Sequence, residues 1–138
     1  MSRLVLDASV AVAWCFEDQS TPYAENVLET LAVGEALVPA IWSLELANAL
    51  VRAERHRRLT AAKSMAFLNR LRNFAIVLDE EGTGRAFDQV LSLARHHELS
   101  AYDAAYLDLA MREGLPLATL DEQLSKVARK LGIKKAAG

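Results

Sequence analysis

Short apolar runs alternate with longer amphipathic segments along most of the chain. Four of these runs have the length and composition of buried strands: residues 4–6, 36–38, 75–78 and 115–118. A further short strand is expected at Ile133. Strands of this kind, separated by helices, indicate an α/β fold with a parallel sheet that helices cover on both faces.

Helical periodicity fills the segments between the predicted strands. We predict helices that begin near Ala8 and at Pro22, and further helices over residues 40–56, 60–73, 83–97, 101–113 and 121–131. The segment around residues 41–51 is apolar nearly all round, which predicts a buried rather than an amphipathic helix, with one polar stripe of Glu45, Asn48 and Arg52. No repeat or linker interrupts the pattern, so we expect one domain over residues 1–138.

Composition narrows the possible classes of protein. With 138 residues, of which 52% are hydrophobic, the chain can build its own core, so disorder is not expected. No apolar run reaches the ~18 residues of a membrane span, and the first residues lack a secretory signal, so we expect a cytoplasmic protein. The single Cys15 excludes an internal disulfide. A net charge of −2 argues against nucleic-acid binding by overall charge, although a local basic patch remains possible.

Four acidic residues follow predicted strands or open predicted helices. Asp7 and Asp121 end the first and fourth strands, whereas Glu45 and Asp103 lie in early turns of helices. In a parallel sheet these positions share the carboxyl edge, where ligands bind. Taken singly, Asp7 and Asp121 could be N-caps, Ser100 and Asp103 match a capping box, and Glu45 could face solvent.

Together, the four carboxylates would need a counter-charge. Two carboxylates about 4 Å apart repel by about 4 kcal/mol at an effective dielectric constant near 20. Four such groups require protonation or a bound cation. Oxygen ligands without Cys or His favour Mg²⁺ or Mn²⁺, which suit phosphoryl chemistry. The residues alone therefore predict a metal-dependent phosphodiesterase.

Other charged residues have simpler interpretations. Residues 79–81 precede two glycines and predict a solvated turn. Asp108 lies on a different helix face from Asp103 and is expected to face solvent or to form a local pair. The basic stretch over residues 52–58 is either a solvated helix end or a surface that contacts phosphates, since the same helix carries Glu45. Its arginines are Arg52, Arg55, Arg57 and Arg58.

Four short motifs, in this order and at these separations, resemble those of the PIN-domain nucleases, specifically the VapC-type toxins of bacterial toxin–antitoxin pairs. They are LDAS at residues 6–9, ELANAL at 45–50, YDAAY at 102–106 and TLD at 119–121. The resemblance runs from Leu4 to about Gly132. It implies a three-layer α/β/α sandwich with a parallel sheet of four or five strands in the order 3-2-1-4-5. Pro116 is unusual in a central strand and leaves the limits of the fourth strand open.

The resemblance also implies a site and an activity. The family's acidic metal site carries over to Asp7, Glu45, Asp103 and Asp121. Its hydroxyl and amide supports carry over to Ser9, Asn48 and Thr119. The implied protein is a toxin with endoribonuclease activity, which hydrolyses RNA with water activated by one or two Mg²⁺ or Mn²⁺ ions.

The implied partners are the RNA substrate, a VapB-type antitoxin whose tail blocks the acidic cleft, and a second copy in a homodimer. Two alternatives remain. One is a housekeeping RNA-processing nuclease, and the other is a catalytically silent binding module.

Overall fold

A parallel sheet of four strands lies at the centre of the structure, a computed structural model that describes residues 2–137. The strands are β1 (Arg3–Leu6), β2 (Glu35–Val38), β3 (Ala75–Leu78) and β4 (Leu117–Ala118). Their order is β3-β2-β1-β4, and every neighbouring pair is parallel. This confirms the predicted order, including the contact between the first and fourth strands. The expected fifth strand is reduced to one parallel bridge between Leu117 and Lys135.

Seven α-helices are found within residues 2–137. They are α1 (Ala8–Cys15), α2 (Pro22–Ala32), α3 (Ile41–Arg55), α4 (Ala61–Leu71), α5 (Leu91–His97), α6 (Ala101–Glu113) and α7 (Glu122–Lys130). Most agree with the predicted helices to within two residues. The predicted helix over residues 83–97 differs, because it opens as a 3₁₀ turn (Gly82–Arg85) and a π turn (Ala86–Val90) before α5 begins. None of these helices is both long and apolar enough to span a membrane.

The central strand β1 is buried on both faces. Leu4 and Leu6 point to one face and Val5 to the other, since side chains alternate along a strand. All three are at most 2% exposed. Helices therefore cover both sides of the sheet, as expected for a parallel sheet.

Side-chain caps fix the starts of two helices next to the predicted site. These are α6, which carries Asp103, and α7, which follows Asp121. The Ser100 hydroxyl accepts the N–H of Asp103 at 3.0 Å and so caps α6. Gly114 ends the same helix with a φ of 64°, a conformation that glycine adopts without strain. One oxygen of Asp121 accepts the N–H of Leu124 at 2.8 Å and so caps α7.

The prediction that α3 is buried rather than amphipathic is wrong. Trp42, Leu46 and Leu50 face the core, but Leu44 is 67% exposed and Val51 is 40% exposed. The buried positions recur every four residues, so only one face of the helix packs. The opposite face keeps apolar side chains in contact with solvent.

The prediction of a solvated turn over residues 79–81 holds for Glu80 and Glu81, which are exposed, but it is wrong for Asp79. The prediction for Asp108 is also wrong. Arg112 of α6 donates two hydrogen bonds to Asp79, at 2.7 and 3.0 Å, and a third to Glu81 at 3.2 Å. Asp108 is only 4% exposed and accepts two hydrogen bonds of 2.8 Å from Arg85. Because α6 packs against the segment that follows β3, Asp79 and Asp108 are covered, and each is paired with an arginine.

Replacement of Arg112 tests the strength of this attachment. The Arg112 hydrogen bonds hold the pKa of Asp79 below its usual range, and the Asp79 side chain is only 7% exposed. Arg112→Met leaves that carboxylate without a counter-charge and is expected to lower the free energy of unfolding by about 3 kcal/mol in urea denaturation.

The loss of stability in Arg112→Met should depend on pH, and a second variant serves as its control. A carboxyl whose folded pKa is depressed stabilises the fold above its unfolded pKa, and that stability is lost as the pH falls through the folded pKa. The difference between wild type and Arg112→Met should therefore shrink below about pH 4. Arg95→Met, at an exposed arginine of α5, should change stability by less than about 0.5 kcal/mol. Equal losses in the two variants would contradict this interpretation.

Candidate active site

Asp7 lies directly after β1, at the carboxyl edge of the sheet. It is buried, and its Oδ2 accepts hydrogen bonds from Ser9 Oγ at 2.6 Å and from Thr119 Oγ1 at 2.7 Å. Thr119 follows β4, so the second bond joins the ends of two neighbouring strands. Asp7 makes no capping hydrogen bond to α1, which removes the alternative that its carboxylate serves only as an N-cap.

The same two hydroxyls also position the segment that contains Asp121. Ser9 Oγ accepts the N–H of Leu120 at 3.0 Å, and Thr119 Oγ1 accepts the N–H of Asp121 at 3.0 Å. Ser9 and Thr119 therefore link Asp7 to the backbone that carries Asp121. Both residues occupy the supporting positions that the family resemblance implied.

Glu45 is held in place by a tyrosine of the facing helix. The Tyr106 hydroxyl donates to Glu45 Oε1 at 2.6 Å and accepts the N–H of Ala8 at 3.4 Å. Tyr106 is completely buried. One hydroxyl thus connects α3, α6 and the start of α1, and Glu45 does not lie on a solvent stripe.

The four acidic residues share one electrostatic environment. Burial is the main cause that raises the pKa of Asp7, Glu45 and Asp103. Repulsion adds to it, because Asp121 raises the pKa of both Asp7 and Asp103, while Asp7 and Asp103 raise the pKa of Glu45. Asp7 and Asp103 therefore each repel the other three carboxylates, and the assignment of these four residues to one metal site stays a prediction.

The donor set fits a hard divalent cation in its chemistry. It consists of carboxylate oxygens that repel one another, and a cation would remove that repulsion. As the side chains are placed, no three Asp, Glu, His or Cys residues within residues 2–137 are grouped closely enough to hold a metal ion. Metal binding would therefore require these side chains to rotate toward a common point. Asp121 is exposed and Asp103 is half-buried, so both have room to do so.

The structure does not bring every candidate residue to this site. Asn48 is exposed, and no hydrogen bond to the carboxylates is found for it among the described residues. Arg58 is paired with Asp18 at 3.2 Å. Arg52, Arg55 and Arg57 are exposed in and just after the last turns of α3. Their contact with RNA stays a prediction.

Sequence reasoning gave Tyr106 no role, although the YDAAY motif contains it. A signal was present, because a tyrosine on the inner face of a buried helix needs a partner for its hydroxyl. An acidic residue on a facing helix is such a partner. The pairing could not be read from the sequence, since Glu45 lies 61 residues away.

Comparison with known proteins agrees with this geometry. The family model described as the PIN domain matches residues 4–130. The chain belongs to the PIN domain family. Over 124 residues it is 30% identical to Ribonuclease VapC3 of Pyrobaculum aerophilum, in an alignment that covers 90% of this chain and 93% of that protein.

Solved structures also share the fold of this PIN domain. PAE2754 from Pyrobaculum aerophilum matches with a TM-score of 0.66 and 25% identity, over 91% of this chain and 85% of the other. A toxin–antitoxin complex from Klebsiella pneumoniae matches with a TM-score of 0.58 and 17% identity, over 86% of each chain. The second likeness is one of fold alone. The family that the sequence motifs predicted is confirmed.

Removal of the Tyr106 hydroxyl tests its place in the site. Tyr106→Phe leaves Glu45 Oε1 and the Ala8 N–H without their partner, so the free energy of unfolding should fall by about 1–3 kcal/mol. Urea denaturation measures this loss. Tyr102→Phe is the matched control, because Tyr102 lies on the same helix and is 60% exposed. Equal effects of the two substitutions would show that the buried hydroxyl does not hold the site.

A second prediction follows from the repulsion among the carboxylates. Because the pKa of Asp7 is raised in the folded protein, ionisation of Asp7 destabilises the fold as the pH rises. Asp7→Asn cannot ionise, yet its amide oxygen can still accept from Ser9 and Thr119. In EDTA its melting temperature should exceed that of wild type by a few degrees at pH 7, about 4 °C for each kcal/mol gained. The gap should shrink toward pH 4, and a gap independent of pH would contradict the prediction.

Proposed function

We propose that this PIN domain is a divalent-metal-dependent endoribonuclease, and that it acts as the toxin of a type II toxin–antitoxin pair. The observation that carries the proposal is the group of four carboxylates at the carboxyl edge of the sheet, in which Asp7 and Asp103 each repel the other three. The similarity to a protein named as a ribonuclease supports RNA as the substrate.

In each of three carboxylates, one oxygen accepts the structural hydrogen bonds, and the other is proposed to bind the ion. Asp7 receives both hydroxyl hydrogen bonds on Oδ2, Glu45 receives the Tyr106 bond on Oε1, and Asp121 caps α7 through Oδ1. The second oxygen of each group is thus left for a ligand. With Asp103, these oxygens would hold one or two Mg²⁺ or Mn²⁺ ions.

The chain's own residues orient the reaction. A divalent ion bound here would neutralise the RNA phosphate and lower the pKa of attacking water. Ser9 and Thr119 hold Asp7 in one orientation, and Tyr106 holds Glu45 against α6. Attack by water on the phosphate would leave a 5′-phosphate and a 3′-hydroxyl end.

Exposed apolar side chains support the proposed protein partners. Leu44 and Tyr102 are exposed, and each immediately precedes a carboxylate of the site. A VapB-type antitoxin could cover both while it blocks the cleft, and the fold is similar to that of a toxin–antitoxin complex. Val77 and Leu78 are exposed on the edge strand β3 and suit a second copy in a homodimer.

Cleavage of a structured RNA tests the enzymatic proposal. Asp103→Asn should reduce the rate by at least about 100-fold, since a bound metal ion contributes several kcal/mol to the transition state. Glu113→Gln is the matched control, because it removes an exposed carboxylate from the other end of α6. EDTA should abolish wild-type cleavage. Activity that survives EDTA, or equal rates in the two variants, would exclude the proposed mechanism.

The toxin proposal has a separate test. A short reading frame beside the gene should encode a protein that co-purifies with this chain and inhibits cleavage. If cleavage is confirmed but no such protein exists, the housekeeping RNA-processing alternative is the correct one.

A further inference from the structure

A basic groove runs beside the carboxylate site, along α7 and the chain that follows it. Two adjoining clefts form it, and they share four lining residues: Thr119, Ser125, Arg129 and Lys135. One cleft reaches Asp121 at the site, and the other reaches Lys134 at the far end. The cations of the basic groove are Lys126, Arg129, Lys134 and Lys135, and its carboxylates are Asp121 and Glu122 at the end nearest the site.

The packing of α7 presents two of these cations to solvent. Its buried face consists of Leu124, Val127 and Ala128. Lys126 and Arg129 are three residues apart, and both are exposed. Residues at this spacing lie on the same face of a helix. The two cations therefore form one wall of the groove.

The other two cations are carried by an ordered backbone. The Leu117 N–H donates to the Lys134 carbonyl at 2.9 Å, and the Ala136 N–H donates to the Leu117 carbonyl at 3.0 Å. The Tyr23 hydroxyl donates to the Ala136 carbonyl at 2.7 Å. The Lys135 ammonium lies 4.4 Å from the centre of the Tyr23 ring. Both lysines are therefore presented by a segment that is joined to β4 and α2.

The groove and the site are continuous. Lys135 is bridged to Leu117 in β4. Thr119, whose hydroxyl donates a hydrogen bond to Asp7, lies two residues after Leu117. At the rise of a strand, that places Thr119 about 7 Å from Leu117. A ligand that follows the groove therefore arrives at the carboxylates.

The four cations form no ion pair within residues 2–137 and, unlike other unpaired cations such as Lys63 and Arg95, they line the same pair of adjoining clefts. A row of unpaired cations is the electrostatic footprint of a polyanion. The groove therefore fits the repeated charges of a nucleic-acid backbone better than a single small anion.

We propose that the basic groove binds the phosphate backbone of the RNA on one side of the bond that is cut. This proposal rests on the proposed function for the identity of the polyanion. An acidic protein segment would match the same cations, but it carries no phosphodiester bond for the site to act on. RNA brings to that end the phosphates on which the site is proposed to act.

The salt dependence of RNA binding tests the proposal. All proteins carry Asp7→Asn so that the RNA stays intact, and binding of a labelled single-stranded RNA is followed by fluorescence anisotropy at several KCl concentrations. Each lost phosphate contact lowers the slope of log K against log[salt] by about 0.7 for a single strand. Lys134→Gln/Lys135→Gln should therefore lower the slope by about 1.4, together with the affinity.

The control changes the net charge equally and far from the groove. Lys63→Gln/Arg72→Gln alters exposed residues in and just after α4, which leads into β3 at the opposite edge of the sheet. It should leave the slope unchanged. If the double lysine variant melts at a lower temperature, Arg129→Gln replaces it, with an expected fall of about 0.7.

Two results would overturn the proposal. One is a slope that stays the same in the groove variants, or that falls equally in the control. The other is equally tight binding of polyglutamate with the same dependence on the lysines, which would assign the groove to an acidic protein. Binding by the groove together with absence of cleavage by wild type would contradict only the proposed function.

Discussion

Four like charges held together at one edge of a sheet are the constraint on which the rest of the site depends. None of Asp7, Glu45, Asp103 and Asp121 forms an ion pair within the part of the chain that the structure describes. Neutral hydroxyl groups hold Asp7 and Glu45 instead. The charge of the site is therefore left for a ligand to neutralise.

Helix α6 shows that this arrangement is not forced by a lack of arginines. Asp108 on this helix is paired with Arg85, and its own Arg112 is paired with Asp79. Those pairs attach the helix to the segment after β3. Asp103, at the start of the same helix, has no such partner. Arginines thus neutralise the carboxylates that attach α6 to the segment after β3, whereas no arginine neutralises the carboxylates where a cation is proposed to bind. Stability is therefore lower at the proposed site than it would be with ion pairs, as is common at functional sites.

Much of this could be predicted from local sequence. The strands and most helices follow from periodicity and from caps such as Ser100 and Gly114. The convergence of the carboxylates follows from the topology of a parallel sheet, because strand ends and helix starts share one edge.

What could not be predicted depends on distant partners. Asp108 and its partner Arg85 are 23 residues apart, and Asp79 and Arg112 are 33 residues apart, so a charge pattern read along the chain shows neither pair. The exposed face of α3 was missed because its apolar residues resemble a buried helix. Its exposure depends on which elements pack against it, and a helix wheel does not contain that information.

The most direct test of the central claim is the melting temperature of the protein as a function of Mn²⁺ concentration. If the carboxylates bind the ion only in the folded state, the free energy of unfolding should rise by about 2.7 kcal/mol at an ion concentration 100 times the dissociation constant. We predict a steady rise for wild type and no rise for Asp7→Asn/Asp103→Asn. A wild-type melting temperature that Mn²⁺ does not raise, or the same rise in the double variant, would contradict the account.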